Sequence, residues 1–290
     1  MKDIERISLE LSRQCGKGCS FCYNGSNPGG ETYWTANDVV DFARDCARNG
    51  VRSFSFGGGE PLEYPEIFLI LDALKGTIFR SLTTNGLHLS RMFDQLVGAH
   101  PDKVHVSIHF PGNEPEVKRV IAQVTALRQE GIASGINLLV RASELEATRQ
   151  AVGKIHAAGI GNDRIIYLPM RGMDTPSPAD IASVAVHPFQ STTCLGHCGK
   201  SPRFISIDSE RKAAWCSYTT SRCTLEQPTW ADLHAAMKGL GLKPCWNPSD
   251  RKVGVNPPHH RSTQEYTTTD RPIGECTPHI AYKSQNHLKP

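Results

Sequence analysis

Three cysteines crowd into eight residues near the start of the chain, in Cys15-Gly-Lys-Gly-Cys19-Ser-Phe-Cys22-Tyr23. Thiolates are soft ligands for zinc and iron, and the two glycines let a backbone wrap an inorganic centre. A structural zinc site wants a fourth protein ligand, and no further Cys or His lies close by in sequence. Three thiolates on a [4Fe–4S] cluster would leave one iron open to an exogenous ligand, a departure from four-cysteine ligation. On spacing alone, a cluster, a zinc site and unliganded thiols all remain open. A second group follows far downstream: Cys194, Cys198, Cys216, Cys223 and Cys245. A third feature, Phe56-Gly-Gly-Gly-Glu60-Pro61, is a glycine-rich loop where backbone can approach a ligand closely and a carboxylate can accept from an ammonium group. No Gly-Lys-Ser/Thr follows it, so it is not a nucleotide phosphate loop.

The elements around these residues are legible from periodicity. Strand-like runs at Ile7–Leu11, Arg52–Phe56, Arg80–Thr84, Val104–His109, Gly135–Val140 and Arg164–Leu168 alternate with amphipathic stretches at Ala36–Asn49, Pro65–Lys75, Arg91–Gly98, Glu114–Glu130 and Glu144–Ala158. Gly50 and Gly131 stand where helix C-caps are expected. Strands separated by helices pair in parallel through right-handed crossovers. A complete eightfold barrel needs about 250 residues, so six units in roughly 170 residues predict an α/β fold of the partial (β/α)6 TIM-like barrel type. The Cys15–Cys22 run and the glycine loop then both lie on the C-terminal face, where active sites collect.

The expected organisation is a barrel core over 1–172, a connector and small hairpin–helix extension over 173–246, and a tail over 247–290. In the extension, 203–208 and 212–218 read as a hairpin and 228–240 as a helix. The last 44 residues hold six prolines and no Phe or Trp. Such a composition cannot bury enough apolar surface to offset ordering entropy, which predicts disorder, and the tail's histidines read as polar tail residues. Cys46 sits at helical spacing with Phe42 and reads as a small buried apolar residue; Cys276, in the tail, is assigned no role. Lys and Arg total 32 against 29 Asp and Glu, a balance too mild to indicate nucleic acid or an anionic membrane. No apolar run reaches the roughly 18 residues of a spanning helix, and the charged N-terminus lacks a signal peptide's apolar stretch. A cytoplasmic protein is expected, and there cysteines serve metal or redox chemistry more often than disulfides.

The C-x3-C-x-aromatic-C spacing, with Phe21 as the aromatic, resembles the signature of the radical S-adenosylmethionine (radical SAM) superfamily, and Gly58-Gly59-Glu60-Pro61 is similar to that superfamily's Gly-Gly-Glu-Pro motif. The resemblance implies that Cys15, Cys19 and Cys22 ligate a [4Fe–4S] cluster whose fourth iron S-adenosylmethionine chelates. It places Gly58, Gly59 and Glu60 along the cofactor's amino group, and Phe21 with the backbone at Tyr23 along the adenine. It makes Ser107, Asn137 and Arg141 further cofactor contacts; an arginine suits a carboxylate through paired donors. Each of these three has a plain alternative as a strand or cap residue, and Thr83-Thr84-Asn85 faces either a ligand or only a turn. Members cleave S-adenosylmethionine reductively to a 5′-deoxyadenosyl radical that removes a substrate hydrogen, which implies an electron donor such as flavodoxin or ferredoxin.

Cys198 before the hairpin, Cys216 after it and Cys245 beyond the helix resemble the auxiliary-cluster extension called SPASM, or its shortened twitch form, and imply a second [4Fe–4S] cluster. Cys194 is the expected fourth ligand, Cys223 the alternative and His197 a remote third. The usual turn glycine is missing, with Glu210-Arg211 in its place, and Cys245 has no partner three residues on. A four-cysteine zinc site or free thiols would suit the same group. The resemblance implies modification of ribosomal peptides, or oxidation or epimerisation of sugars and other small metabolites, with substrate oxidation or bond formation typical where an auxiliary cluster is present. Only 14 residues precede Cys15, which favours a small molecule or a peptide delivered by a separate protein. Many relatives have an acidic residue after the fourth strand; here His109 stands there, a candidate acid or base near neutral pH or a packed strand-end histidine. Two other readings are a redox-neutral epimerase or glycyl-radical-activating enzyme with zinc or nothing in the extension, and a non-enzymatic metal-binding module.

Overall fold

Along β1 (Arg6–Ser12), Ile7, Leu9 and Leu11 are fully buried while Ser8 between them is half-buried. The alternation repeats in β2 (Ser53–Gly58), β3 (Phe79–Thr84) and β6 (Ile165–Pro169), while β4 (Lys103–Ile108) and β5 (Ala133–Val140) are buried along nearly their whole length. Successive side chains of a strand point to opposite faces, so one face of this sheet is apolar and the other polar. The apolar face is covered by α1 (Ala36–Arg48), α2 (Ile67–Ala73), α3 (Phe93–Ala99), α4 (Glu114–Gln129) and α5 (Leu145–Ala157). In α1, a Thr35–Asp38 capping box fixes the start, and Val39, Phe42, Ala43 and the fully buried Cys46 face the core. The computed structural model describes residues 4–172, 174–185, 195, 198–201, 203–243 and 245. The expected tail over 247–290, Cys194, His197 and Cys276 lie outside them.

The strands stand in the order β6-β5-β4-β3-β2-β1, with every neighbouring pair parallel. This is the expected partial barrel, and it does not close. One feature of the extension differs from expectation. After α6 (Pro178–Ala185), β7 (Phe204–Ile207) pairs parallel with β1, so the extension continues the barrel sheet. An antiparallel meander follows through β8 (Lys212–Ala214) and the two-residue β9 (Cys223–Thr224), before α7 (Trp230–Met237). The hairpin turn lacks glycine, and Arg211 takes a left-handed φ of 62°. Its guanidinium offsets that strain by donating to the Tyr33 carbonyl at 2.6 and 3.0 Å, meeting Asp38 at 2.5 Å and stacking on Trp34. Ser206, Ser8, Ser55 and Ser81 stand in register across β7, β1, β2 and β3 on the polar face.

Arg80, 2% exposed, fastens the helix layer to β3. It donates to the carbonyls of Leu71, Ala99 and His100, at the ends of α2 and α3, and to Asp102. Burial pushes the Asp102 carboxyl up, but hydrogen bonds from the Arg80 backbone and guanidinium outweigh it and hold the group below its ordinary range. A lowered carboxylate stabilises the fold above its unfolded value and loses that contribution as pH falls through the folded one. The stability advantage of wild type over Asp102→Asn is therefore expected to be full at pH 7 and to shrink below about pH 4, as denaturant titrations across pH would read.

Candidate cluster and cofactor site

The loop leaving β1 is tied at both ends before it reaches the cysteines. Gln14 forms a parallel bridge with Asn27, and the Cys15 N–H donates to the Asn27 carbonyl at 2.9 Å. Glu63, in the short 3-10 turn Pro61–Glu63, accepts the Gly16 N–H on both carboxylate oxygens, at 2.9 and 3.0 Å. Lys17 reaches the other way, to Glu116 on α4 at 2.9 Å, and both side chains are nearly buried. The same Glu116 oxygen accepts the His109 N–H at 2.7 Å. Cys15, Cys19 and Cys22 are all half-buried on this braced loop. Backbone N–H groups of Lys17 and Gly18 point at the Cys15 sulfur, and the Asn85 amide nitrogen lies 3.6 Å from it. Burial raises the thiols of Cys15 and Cys19 above their ordinary values, so a cluster that binds them must displace protons.

The glycine-rich loop is used differently from expectation. A side chain on Gly59 would meet the Gln14 carbonyl oxygen at 2.0 Å, and one on Gly58 the Ser12 carbonyl oxygen at 2.6 Å. The Gly59 and Glu60 N–H groups donate to those same carbonyls, at 2.7 and 2.8 Å. These two glycines therefore let β2 lie against the cysteine loop. Gly57 alone among the three has open space where a side chain would be. Glu60 is 1% exposed, and its carboxylate accepts from Leu62 N, Thr84 Oγ1 and Asn85 N. It holds the end of β3, so most of its acceptor capacity serves the fold, two donors on Oε1 and one on Oε2.

On the opposite wall, Ser107 and Asn137 are register partners on β4 and β5, both almost buried. Arg141, one residue past β5, lays its guanidinium 4.2 Å over the Phe21 ring and 5.7 Å from Phe110. One guanidinium nitrogen pairs with Glu144, while Nε and Nη2, and likewise Asn137 Oδ1, are buried without a hydrogen-bond partner. Buried polar atoms of this kind are normally satisfied, so this wall has two open donors and an open acceptor that could hold a polar ligand. His109 packs edge-on against Phe21, with Nδ1 3.9 Å from the Cys19 sulfur. Burial, then the positive charge of Lys17, hold its pKa down to about 4. The lowered pKa counts against the acid half of the expectation; the ring, packed at the strand end, keeps the capacity of a weak base.

Sequence reading missed Glu10, which is 1% exposed on the polar face and raised by burial. It accepts from the Tyr23 hydroxyl at 3.0 Å and the Asn24 amide at 3.2 Å. Alternation along β1 could have flagged it as the acidic residue of an apolar strand. The exposed Tyr23 ring lies 4.9 Å from Tyr218, which joins the first cysteine loop to the extension. There, the Leu240 carbonyl accepts from both Lys200 and the Trp215 indole, at 2.6 and 3.0 Å, and Thr219 donates to the Lys243 carbonyl. These bonds gather the short segments carrying Cys198, Cys216 and Cys245. Cys223 is buried on β9 and disulfide-bonded, so the expectation of it as the alternative fourth ligand is corrected: its sulfur is already bonded and is no thiolate donor. Among the described residues, no three Cys, His, Asp or Glu side chains converge on a single-metal geometry.

The sequence profile of the Radical SAM superfamily matches residues 9–176, more than half of the chain. The chain belongs to the radical SAM superfamily. It is thus an iron–sulfur radical SAM enzyme, and membership implies a [4Fe–4S] cluster and S-adenosylmethionine. Among curated relatives, a protein of Methanocella arvoryzae named probable GTP 3′,8-cyclase is 34% identical over 105 residues, 36% of this chain and 34% of its own length. One of the same name from Thermococcus kodakarensis is 29% identical over 142 residues, covering 48% and 45%. The radical SAM chain thus spans between a third and a half of these relatives' length. Its fold resembles Streptococcus suis SuiB bound to S-adenosylmethionine, with TM-score 0.60, 17% identity, and 75% and 61% of the two chains covered. It also resembles anSMEcpe with bound AdoMet, with TM-score 0.55, 15% identity, and 81% and 78% covered. No helix among the described residues is long and apolar enough to cross a membrane.

Proposed function

We propose that Cys15, Cys19 and Cys22 hold the [4Fe–4S] cluster, and that the wall made by Phe21, Ser107, Asn137 and Arg141 binds S-adenosylmethionine beside it. The observation that carries this reading is the pair of unsatisfied groups next to the cysteine loop, Asn137 Oδ1 and the free edge of the Arg141 guanidinium. The cofactor's carboxylate suits the arginine's two open donors. Its amino group suits an amide oxygen, and its adenosyl ring suits Phe21 and the backbone at Tyr23. Gly57, in place of Gly58 and Gly59, is the glycine that leaves room for it. When bound and reduced, cluster and cofactor together supply a 5′-deoxyadenosyl radical that removes a substrate hydrogen. The chain's own contribution is to orient the cofactor, exclude water with the packed Phe21–Phe110–His109 group, and present a polar face to the substrate.

The second cysteine group holds an auxiliary [4Fe–4S] cluster in this reading, as in a SPASM or twitch extension, with Cys198, Cys216 and Cys245 as ligands and Cys194 as the fourth. It is supported by the bonds that gather these segments around Leu240 and Lys243. An inbuilt electron acceptor suits oxidation or bond formation on a polar small metabolite or a ribosomal peptide. The serine row of the polar face favours the polar class. The division into a barrel core and an extension, a cytoplasmic setting, and reduction by a flavodoxin or ferredoxin complete the proposal. GTP enters as one test substrate because curated relatives carry that name.

Anaerobic protein with dithionite and S-adenosylmethionine is expected to release 5′-deoxyadenosine, which chromatography measures; no product from fully loaded protein would overturn the reading. Replacing Cys198, Cys216 and Cys245 together with alanine should lower the iron content from about eight to about four per chain. A content unchanged by that substitution would instead favour a redox-neutral reaction.

A further inference from the structure

Asn85 is held by every polar group it has except one. Its N–H donates to Glu60 Oε2 at 2.7 Å, its carbonyl accepts from Arg119 at 3.2 Å, and its side-chain oxygen accepts the Leu87 N–H at 2.8 Å. The last of these is an Asx turn, and it fixes which way the amide points. What is left is the Nδ2 donor, 3.6 Å from the Cys15 sulfur. The residue is 4% exposed, so this donor has no access to bulk water to satisfy it. Glu60 is committed to the same task from behind, gripping both Asn85 N and Thr84 Oγ1.

We infer that Asn85 is a positioning residue for the cluster: it donates an N–H···S hydrogen bond to the Cys15 thiolate and thereby raises the cluster's reduction potential, with Glu60 holding it in place. The inference rests on the reading that Cys15 is a cluster ligand. Reduction adds negative charge that spreads onto the cysteine sulfurs, and a donor aimed at one of them stabilises the reduced state more than the oxidised one. Because the site is buried, water cannot replace the missing donor when the amide is removed. Glu60 and Glu63, on one short turn, then brace Cys15 from two sides, Glu63 through Gly16 N and Glu60 through Asn85.

The test compares wild type with Asn85→Asp and Asn85→Ala. Asp keeps the shape and the turn to Leu87 but replaces the donor with an oxygen and adds a negative charge; Ala removes donor and turn together without adding charge. Iron content is measured first, with the Cys15/Cys19/Cys22→Ala protein as the reference that lacks the site. The midpoint potential of the cluster is then read by redox titration followed by electron paramagnetic resonance, with Cys198, Cys216 and Cys245 replaced so that only one cluster contributes. The expected result is full iron loading and a potential more negative than wild type in both variants, with a larger shift in Asp. Full loading with an unshifted potential would overturn the inference. So would loss of iron from both variants, since Asn85 would then merely support the loop. If the triple cysteine protein keeps its iron, the failure belongs to the assignment of Cys15 as ligand.

Discussion

Gly59→Ala is expected to dislodge the cysteine loop, whereas Gly57→Ala, the same change two residues away, leaves it in place. At Gly59 the added carbon would sit 2.0 Å from the Gln14 carbonyl oxygen and 2.6 Å from its carbon. Both are backbone atoms, so no rotamer change relieves the clash; β2 and the loop have to separate. Separation sacrifices the bonds from Gly59 N to Ser12 and from Glu60 N to Gln14. The cost is about 3 kcal/mol, at the upper end of overpacking effects. At Gly57 nothing lies within reach of the added carbon, and the cost stays within about 0.5 kcal/mol. Anaerobic denaturant unfolding of the two variants, with iron content alongside, checks this. Equal destabilisation would show that the glycine loop does not anchor the cysteines.

Lys17→Met is the second large effect. Lys17 and Glu116 are 11% and 7% exposed, so removing the ammonium strands a carboxylate with little solvent around it. Breaking one side of a buried pair costs about 3–5 kcal/mol, mostly the penalty of the charge left behind. Adding Glu116→Gln should restore most of the loss, because the amide oxygen can still accept the His109 N–H that Glu116 accepts at 2.7 Å. A double-mutant cycle over the four proteins measures this. A coupling below about 0.5 kcal/mol would mean that the pair acts as a surface salt bridge and does not brace the loop.

The barrel was legible because its strands obey a simple rule. Ile7, Leu9 and Leu11 alternate with polar residues, and each strand is followed by a helix with one apolar stripe. The place of Arg141 directly after β5 was legible for a related reason, since the apolar run of that strand ends at Val140. The place of β7 beside β1 was not legible, since a four-residue strand carries no record of a neighbour almost two hundred positions earlier. The structural role of Glu60 was not legible for a different reason. A carboxylate in a glycine loop has the same composition whether it faces a ligand or accepts from Thr84 and Asn85, and only the packing of β3 decides between them. His109 could be read both ways from the sequence. Burial beside Lys17 moves its titration below neutrality, which counts against the acid role.

The central claim is that Cys15, Cys19 and Cys22 carry the cluster. It is tested most directly by iron and acid-labile sulfide in anaerobically prepared protein, wild type against Cys15/Cys19/Cys22→Ala. The predicted result is a loss of about four irons and about four sulfides per chain, with the circular dichroism of the fold retained. Iron and sulfide unchanged by the triple substitution would contradict it.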